Sequence, residues 1–361
     1  MADSPAARPA PTPGQPHVGN WPLTGPGPTE RGRQTLLRVR LATLFILVAL
    51  ALVPPVAMAL DKPYLITLIN RAVIYALAAM ALDLVMGYGR MVSFGHGAFL
   101  GIGAYTVGIL STHSMLVEPF AFGWVGSNEA LVVWPLAMLV AASYALLVGA
   151  LSLRTTGVYF IMVTLAFGQL VYYFFISLQK YGGEDGLSMW ARNTLLGVDL
   201  HDRTLFYYVC LTLLVISTWV LIRMVRSRFG RVLEGSRQNE ERMRALGYKP
   251  YVYKLTAFVV SGALVGLAGA LLANHTEFVS PELMHWSRSG MLMVIVLLGG
   301  LSSLVGPIYG ALILLMLEEI LVAYTPHWQI VLGPILILAV LFFRGGVFGM
   351  LSGLRGARRH D

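Results

Sequence analysis

The stretch YLITLINRAVIYALAAMALDLVM, residues 64–86, decides the fold. About 20 predominantly apolar residues are enough to carry a helix across the hydrocarbon core of a bilayer, and this run has that length. Nine further apolar segments lie at about 41–60, 92–112, 130–151, 157–178, 204–222, 254–273, 288–301, 305–323 and 328–343. The segment at 288–301 is short, and reads as buried, tilted or incompletely spanning. The whole chain, 361 residues, is 57% hydrophobic and only 12% charged, about half the charge of an ordinary soluble domain. Mean hydropathy is +0.70. A closed β-barrel would show short alternating segments instead, and none occurs. The expected fold is all-α, a polytopic integral membrane helix bundle of about ten transmembrane helices.

Charge sets the orientation. Lys and Arg concentrate in cytoplasmic loops. With the N-terminus inside, 20 of the 26 basic residues fall on the inner side, nine of them between 223 and 254. Lys62, Arg71, Lys180, Arg192, Arg203 and Arg288 remain at or near the outer side. The expectation is N-in/C-in. The net charge of +8 is thus a topology signal and not a nucleic-acid footprint.

Residues 1–40 hold eight of the eighteen prolines and no apolar run, and read as a disordered cytoplasmic tail. A cleavable signal would place a short basic region directly before a short apolar one; here the run from Leu41 to Leu60 reads as a retained first span. Residues 41–343 form the membrane domain, with a cytoplasmic loop at 223–254, and 344–361 a basic cytoplasmic tail. Cys210, the only cysteine, reads as a small buried apolar residue. It excludes cysteine-based metal motifs and an intramolecular disulfide.

Directly after the opening stretch comes GYGRMVSFGHGAFLGIGAY, residues 87–105, in which six of nineteen residues are glycine. Glycine costs about 1 kcal/mol relative to alanine inside a helix, so this density needs a reason. Gly97 and Gly101 form a small-xxx-small pair, as do Ala104 and Gly108, and such residues let helix backbones approach in lipid. The third span is therefore expected at the centre of the bundle, as a packed wall of a pathway. The candidate pathway or packing residues are Asp83, Ser93, His96, Gly97, Gly101, Thr164 and Gln169. Asp83, near the inner end of its span, has the choice of capping the following helix or pairing with Arg90. His96 reads first as a hydrogen-bonded packing residue. Glu318 and Glu319 are expected to reach the outer interface.

The loop SRFGRVLEGSRQNEERMRALGYKPYVYKLTAF, residues 227–258, is longer than a plain connection. Good helix formers run from Arg231 to Leu246, and Gly247 followed by Pro250 supplies a stop. Phe229, Leu233, Met243 and Leu246 offer apolar contacts. This is an amphipathic helix resting on lipid or a docking helix for a cytoplasmic partner.

The loop resembles the coupling loop of ABC importer permeases, through Arg237, Asn239, Glu240, Glu241, Ala245, Leu246 and Gly247. The glycine-rich stretch, RTTGVYFIMVTLAFGQLVYYF, YGGEDGLS, GGLSSLVGPIYGALILLMLEEIL and FFRGGVFGML resemble, in order over about residues 64–352, the LivM-type branched-chain amino-acid permeases. Two departures stand out. Arg242 and Met243 replace the alanines usual after the paired glutamates. Asp83 stands where amino-acid permeases of the family commonly carry asparagine, and it and GHGAF are features of the urea and short-amide relatives. The expected substrates are branched-chain amino acids, with urea and short amides, or other amino acids, as the alternatives.

The resemblance implies a permease subunit of a binding-protein-dependent ABC importer in a bacterial cytoplasmic membrane. Its partners would be a homologous second permease, two cytoplasmic ATPase subunits, an extracytoplasmic binding protein that docks near 180–203, and membrane lipid. Arg231 joins the loop residues above as a candidate contact to the ATPase. No lysine follows a glycine, so the chain lacks the P-loop G-x-x-x-x-G-K-[ST]; ATP and Mg would be used by the partner subunits, and no cofactor or metal is expected on this chain. Neither G-x-S-x-G nor H-E-x-x-H occurs, so no catalytic residues are expected. The rival class is an ion-coupled secondary transporter, which would need buried acid–base partners at mid-membrane; the sequence shows none.

Overall fold

Backbone N–H and C=O groups inside a bilayer must be satisfied within the protein, which a helix does along its own length. In the computed structural model, which describes residues 42–116, 125–325, 327–342 and 346, each apolar segment named above carries a helix. α1 (Ala42–Ala51) and α2 (Val53–Ala59) meet at a 44° bend. Proline in the first turn of α2 donates no hydrogen bond back to α1, which accounts for the break. α3 (Tyr64–Asp83) continues into one π turn, Leu84–Tyr88. Then follow α4 (His96–Leu116), α5 (Ala130–Ser152), α6 (Val158–Ser177) and α7 (Arg203–Arg226). The cytoplasmic loop holds α8 (Arg228–Gln238) and α9 (Glu240–Ala245). α10 (Pro250–Thr276), α11 (Trp286–Gly299), α12 (Gly306–Tyr324) and α13 (Trp328–Phe342) complete the bundle.

Seven of these helices are long and apolar enough to cross a membrane, and the bent α1–α2 pair makes an eighth if it is one span. α11 has 14 residues and α13 has 15. At 1.5 Å per residue these reach about 21–23 Å, short of a hydrocarbon core of about 30 Å. The tails at 1–40 and 344–361 lie outside the described residues, Gly346 excepted. The helical plan is interrupted by two small antiparallel pairs. β1 (Leu187–Ser188) pairs with β4 (Phe278–Val279), and β2 (Thr194–Leu195) with β3 (Val198–Asp199).

α3, α4 and α10 form the core: 83%, 67% and 72% of their apolar windows are buried, against 33% for α5 and 22% for α6. α5 and α6 therefore present side chains such as Leu139, Met162 and Leu170 outward, which suits lipid or another membrane helix. α4 crosses α10 backbone on backbone. A Cβ on Gly103 would lie 2.0 Å from the Gly266 carbonyl oxygen, and one on Gly269 would lie 1.9 Å from that of Leu100. On its other side α10 receives Ala141 and Ala145 of α5 against Gly266 and Gly262.

The sequence pairs Gly97 with Gly101 and Ala104 with Gly108 as helix-packing sites; Ala104 does meet α10, its nitrogen 3.1 Å from an added Cβ on Gly269, and Gly97 meets α11 at Ser289, but Gly101 and Gly108 meet the connection between α10 and α11. Gly108 faces Val279, Gly101 faces Met284, and Gly97 faces His285 and Ser289. These glycines line up against the chain that leads from α10 through a 3-10 turn, Pro281–Met284, into the first turn of α11, over eleven residues of α4, about 16 Å. Non-helical backbone is tolerated at such depth only where protein buries it or it lines a cavity, and the side-chain-free stripe of α4 makes the room. α11 is short because it begins partway into the bundle.

Candidate functional site

The cytoplasmic loop is not one helix. α8 starts at Arg228, where the Ser227 hydroxyl caps the Phe229 N–H, and ends at Asn239, whose backbone is extended (φ −154°, ψ 107°). The Asn239 side chain accepts the Arg242 N–H at 2.9 Å and so starts α9 as its N-cap. A single helix from Arg231 to Leu246 is therefore corrected: an asparagine that caps wins over the helix formers around it. The stop at Gly247 is of the kind the sequence suggests. Gly247 has φ +84°, its N–H reaches the Arg244 carbonyl at 2.9 Å, and the Tyr248 N–H reaches Met243 at 3.1 Å. This pair of bonds is a Schellman ending.

The two faces of this helix pair differ. Val232 and Leu233 are buried, the Phe229 ring packs on Tyr253 at 5.5 Å, and Met243 packs against Gly235. Arg231, Asn239, Glu241, Ala245, Leu246 and Gly247 are exposed. Leu246, expected among the apolar contacts, is 65% exposed. Glu240 anchors α9 inward through ion pairs with Arg244 at 2.8 Å and with Lys254 of α10. Burial pushes its carboxyl up, but the hydrogen bonds and charges of Lys254 and Arg244 outweigh that and hold it below the usual carboxylate range.

Arg237, on α8, also points into the bundle. Its Nη1 donates to the Gly87 carbonyl at 2.6 Å and to the Ser302 hydroxyl at 2.8 Å. Ser302 opens the turn between α11 and α12, whose backbone is gathered around Asp83. The fully buried Asp83 accepts the N–H of Ser302 at 2.8 Å on Oδ1, and those of Ser303 and Leu304 at 3.2 and 3.1 Å on Oδ2. Successive N–H groups converging on one anion form a nest. Asp83 therefore caps neither the following helix α4 nor Arg90, which is exposed with φ +55°; it holds a turn more than two hundred residues away in sequence.

The remaining candidates gather at the start of α4. Phe94 N–H donates to Thr164 Oγ1 of α6 at 3.3 Å, and the Phe94 carbonyl accepts from Ser289 of α11 at 2.7 Å. Gly97 N–H donates to the same Ser289 at 2.8 Å. The buried Ser93 hydroxyl accepts the Gly95 N–H at 3.2 Å. His96 Nε2 lies 3.1 Å from Ser261 of α10, which donates to the Ala81 carbonyl of α3 at 2.6 Å. Phe99 and Phe258 stand edge-on to the imidazole. One turn of glycine-rich chain is thus held from α3, α6, α10 and α11. Gln169 is half-buried on α6 and its Nε2 has no partner.

Glu318 and Glu319 do not simply reach the interface. Glu318 pairs with Arg71 at 3.3 Å and Glu319 receives the Tyr64 hydroxyl, so both tie α12 to α3. Arg71–Glu318 is an ion pair between two spans, but both side chains keep some exposure, 33% and 17%, so it is not the buried mid-membrane acid–base pair that an ion-coupled transporter would need. Ser302, Ser261, Ser289 and Gly87 escaped the reading of the sequence. The signal for Ser302 was present: a serine pair in GGLSSLVG between two apolar segments.

The family described as "Branched-chain amino acid transport system / permease component" matches residues 64–341. The chain is 32% identical, over 304 residues, to the high-affinity branched-chain amino acid transport system permease protein LivM of Salmonella typhimurium, covering 77% of this chain and 68% of the relative. Identity to LivM of Escherichia coli K12 is 31% over the same shares. The autoinducer 2 import system permease protein LsrC of Escherichia coli O9:H4 is 26% identical over 38% of this chain and 42% of its own length. No solved structure matches. With the family match running from the first residue of α3 into α13, the chain belongs to the branched-chain amino-acid transport system permease family.

Proposed function

We propose that this chain is a permease subunit of an ATP-driven importer that carries branched-chain amino acids across a bacterial cytoplasmic membrane, with ten crossings and both termini inside. The observation that carries the reading is the α8–α9 pair. One face is fixed to the bundle through Leu233, Arg237 and Glu240; the other presents Arg231, Glu241, Ala245 and Leu246 to a partner. The likeness to LivM supports the solute and the company: a second homologous permease, two ATPase subunits that bind ATP and Mg, and an extracytoplasmic binding protein. Transport proceeds by alternating access, with ATPase closure moving α8–α9. Asp83 is committed to three backbone N–H groups, so its departure from asparagine carries no argument for urea or short amides.

The test is co-purification of the tagged full-length chain from its native membrane in mild detergent, beside a Gly247→Asp variant. At φ +84° an aspartate in place of glycine strains the end of α9. An ATPase subunit that accompanies the native chain and is depleted from the variant is the expected result. A native chain free of any ATPase, in preparations where other membrane complexes survive, would return the argument to an ion-coupled transporter.

A further inference from the structure

Ser302 uses every polar group it has. Its N–H goes to Asp83, its carbonyl receives the Tyr88 hydroxyl at 2.8 Å, and its own hydroxyl donates to the Gly87 carbonyl at 2.8 Å while accepting from Arg237. Asp83, Gly87 and Tyr88 belong to the inner end of α3; Arg237 belongs to α8. The backbone at Ser302 has φ +61° and that at Leu304 φ +50°. Such conformations cost non-glycine residues of order 1–3 kcal/mol each, persist only where the surroundings over-determine them, and cluster at switch regions. Gly87 takes part by lacking a side chain: a Cβ there would lie 2.2 Å from Asp83 Oδ1 and 2.6 Å from the Ser302 nitrogen. Gly87 also sits in the π turn, a local form that marks functional sites in helices.

Resting on the permease reading above, we propose that Arg237 is a positioning residue that delivers the movement of α8 to the inner ends of α3, α11 and α12. With the guanidinium seated on Gly87 and Ser302, the strained turn 302–304 is clamped onto α3. When a partner displaces α8, Arg237 leaves with it, the clamp loses its cationic donor, and the turn relaxes, freeing α12 to shift against α3. The sequence separation of these groups is the point of the device: one side chain on a soluble helix reports to three membrane helices.

The experiment uses the assembled importer in lipid vesicles, with leucine as the solute, and reads ATP hydrolysis and leucine uptake side by side in Arg237→Gln, Arg237→Lys, Ser302→Ala and the double variant R237Q/S302A. The expected result is that R237Q and S302A keep their ATPase subunits and hydrolyse ATP at the native rate, while leucine moved per ATP falls about tenfold, within the range of allosteric coupling. R237K recovers part of the loss. The double variant is no worse than R237Q, because both changes break one path. Native leucine-to-ATP ratios in R237Q and S302A would overturn the proposal. So would loss of the ATPase subunits from R237Q, which would make Arg237 a docking residue, or failure of R237Q to fold while S302A stays fully coupled, which would make it a structural one. A native chain without an ATPase is a different failure: it removes the permease reading, and this proposal with it.

Discussion

Gly103 and Gly266 bring α4 and α10 into backbone contact, with 2.0 Å between an added Cβ on the first and the carbonyl oxygen of the second. No side chain lies between them to move aside. Gly103→Ala is therefore expected to force the helices apart, costing about 1–3 kcal/mol or more. A Cβ on Gly101 meets the Met284 side chain, and methionine adapts its shape readily, so Gly101→Ala should cost clearly less. Thermal unfolding of both variants in detergent, followed by tryptophan fluorescence, orders them. A lower midpoint for the Gly101 variant would place the tight crossing against the irregular chain instead of against α10.

The glycines show how far the sequence could be read. Their density announced close approach, and the apolar runs announced the helices, because both follow from lipid as a solvent. What faced each glycine was hidden: Gly97 and Gly101 carry the small-xxx-small spacing, yet they meet the 3-10 turn Pro281–Met284 and the first turn of α11, while Gly103 makes the closest helix crossing with no pattern to mark it. Asp83 is a similar case. Its burial was legible from its neighbours, but its partners are backbone N–H groups at 302–304, and backbone groups leave no trace in residue identity. The break at Asn239 was within reach, since a capping asparagine ahead of two glutamates is a helix-start signal; it was masked by the good helix formers on either side.

Asp83→Asn should leave the complex assembled but less stable. Asp83 Oδ2 serves both Ser303 and Leu304 while Oδ1 serves Ser302. Asparagine has one acceptor oxygen, and its NH2 must face at least one N–H. An unsatisfied buried group costs about 1–3 kcal/mol. The expected readouts are a lower unfolding midpoint and faster hydrogen exchange over residues 302–306. Unchanged exchange there would mean that the nest holds its shape without the carboxylate.

Asn239→Ala removes the cap of α9. Loss of an N-cap costs about 1 kcal/mol, and α9 is only six residues long, so the change should fray it without touching α8, which has its own cap at Ser227. Hydrogen exchange is expected to rise over 240–247 and stay unchanged over 229–237, and Asn239→Asp, which keeps the acceptor, should behave as the native chain. A rise spread evenly over both helices would show that the pair folds as one unit and that the break is not set by the cap.

The attachment of α9 to α10 should depend on pH through Glu240. Partial burial of its carboxyl raises the pKa, yet the hydrogen bonds and charges of Lys254 and Arg244 bring the net shift below the usual carboxylate value. A group whose pKa is lower when docked binds fewer protons docked than free, so docking is favoured as pH rises. The contribution is complete above the ordinary carboxylate pKa and is lost as pH falls through the lowered, docked value. Acidification through that window should raise hydrogen exchange in α9 and at the start of α10 before the bundle unfolds. Glu240→Gln cannot ionise, and should show elevated exchange already at neutral pH with no further change over the same window. If native chain and variant respond alike to acid, the anchoring lies elsewhere, in the packing of Met243 on Gly235.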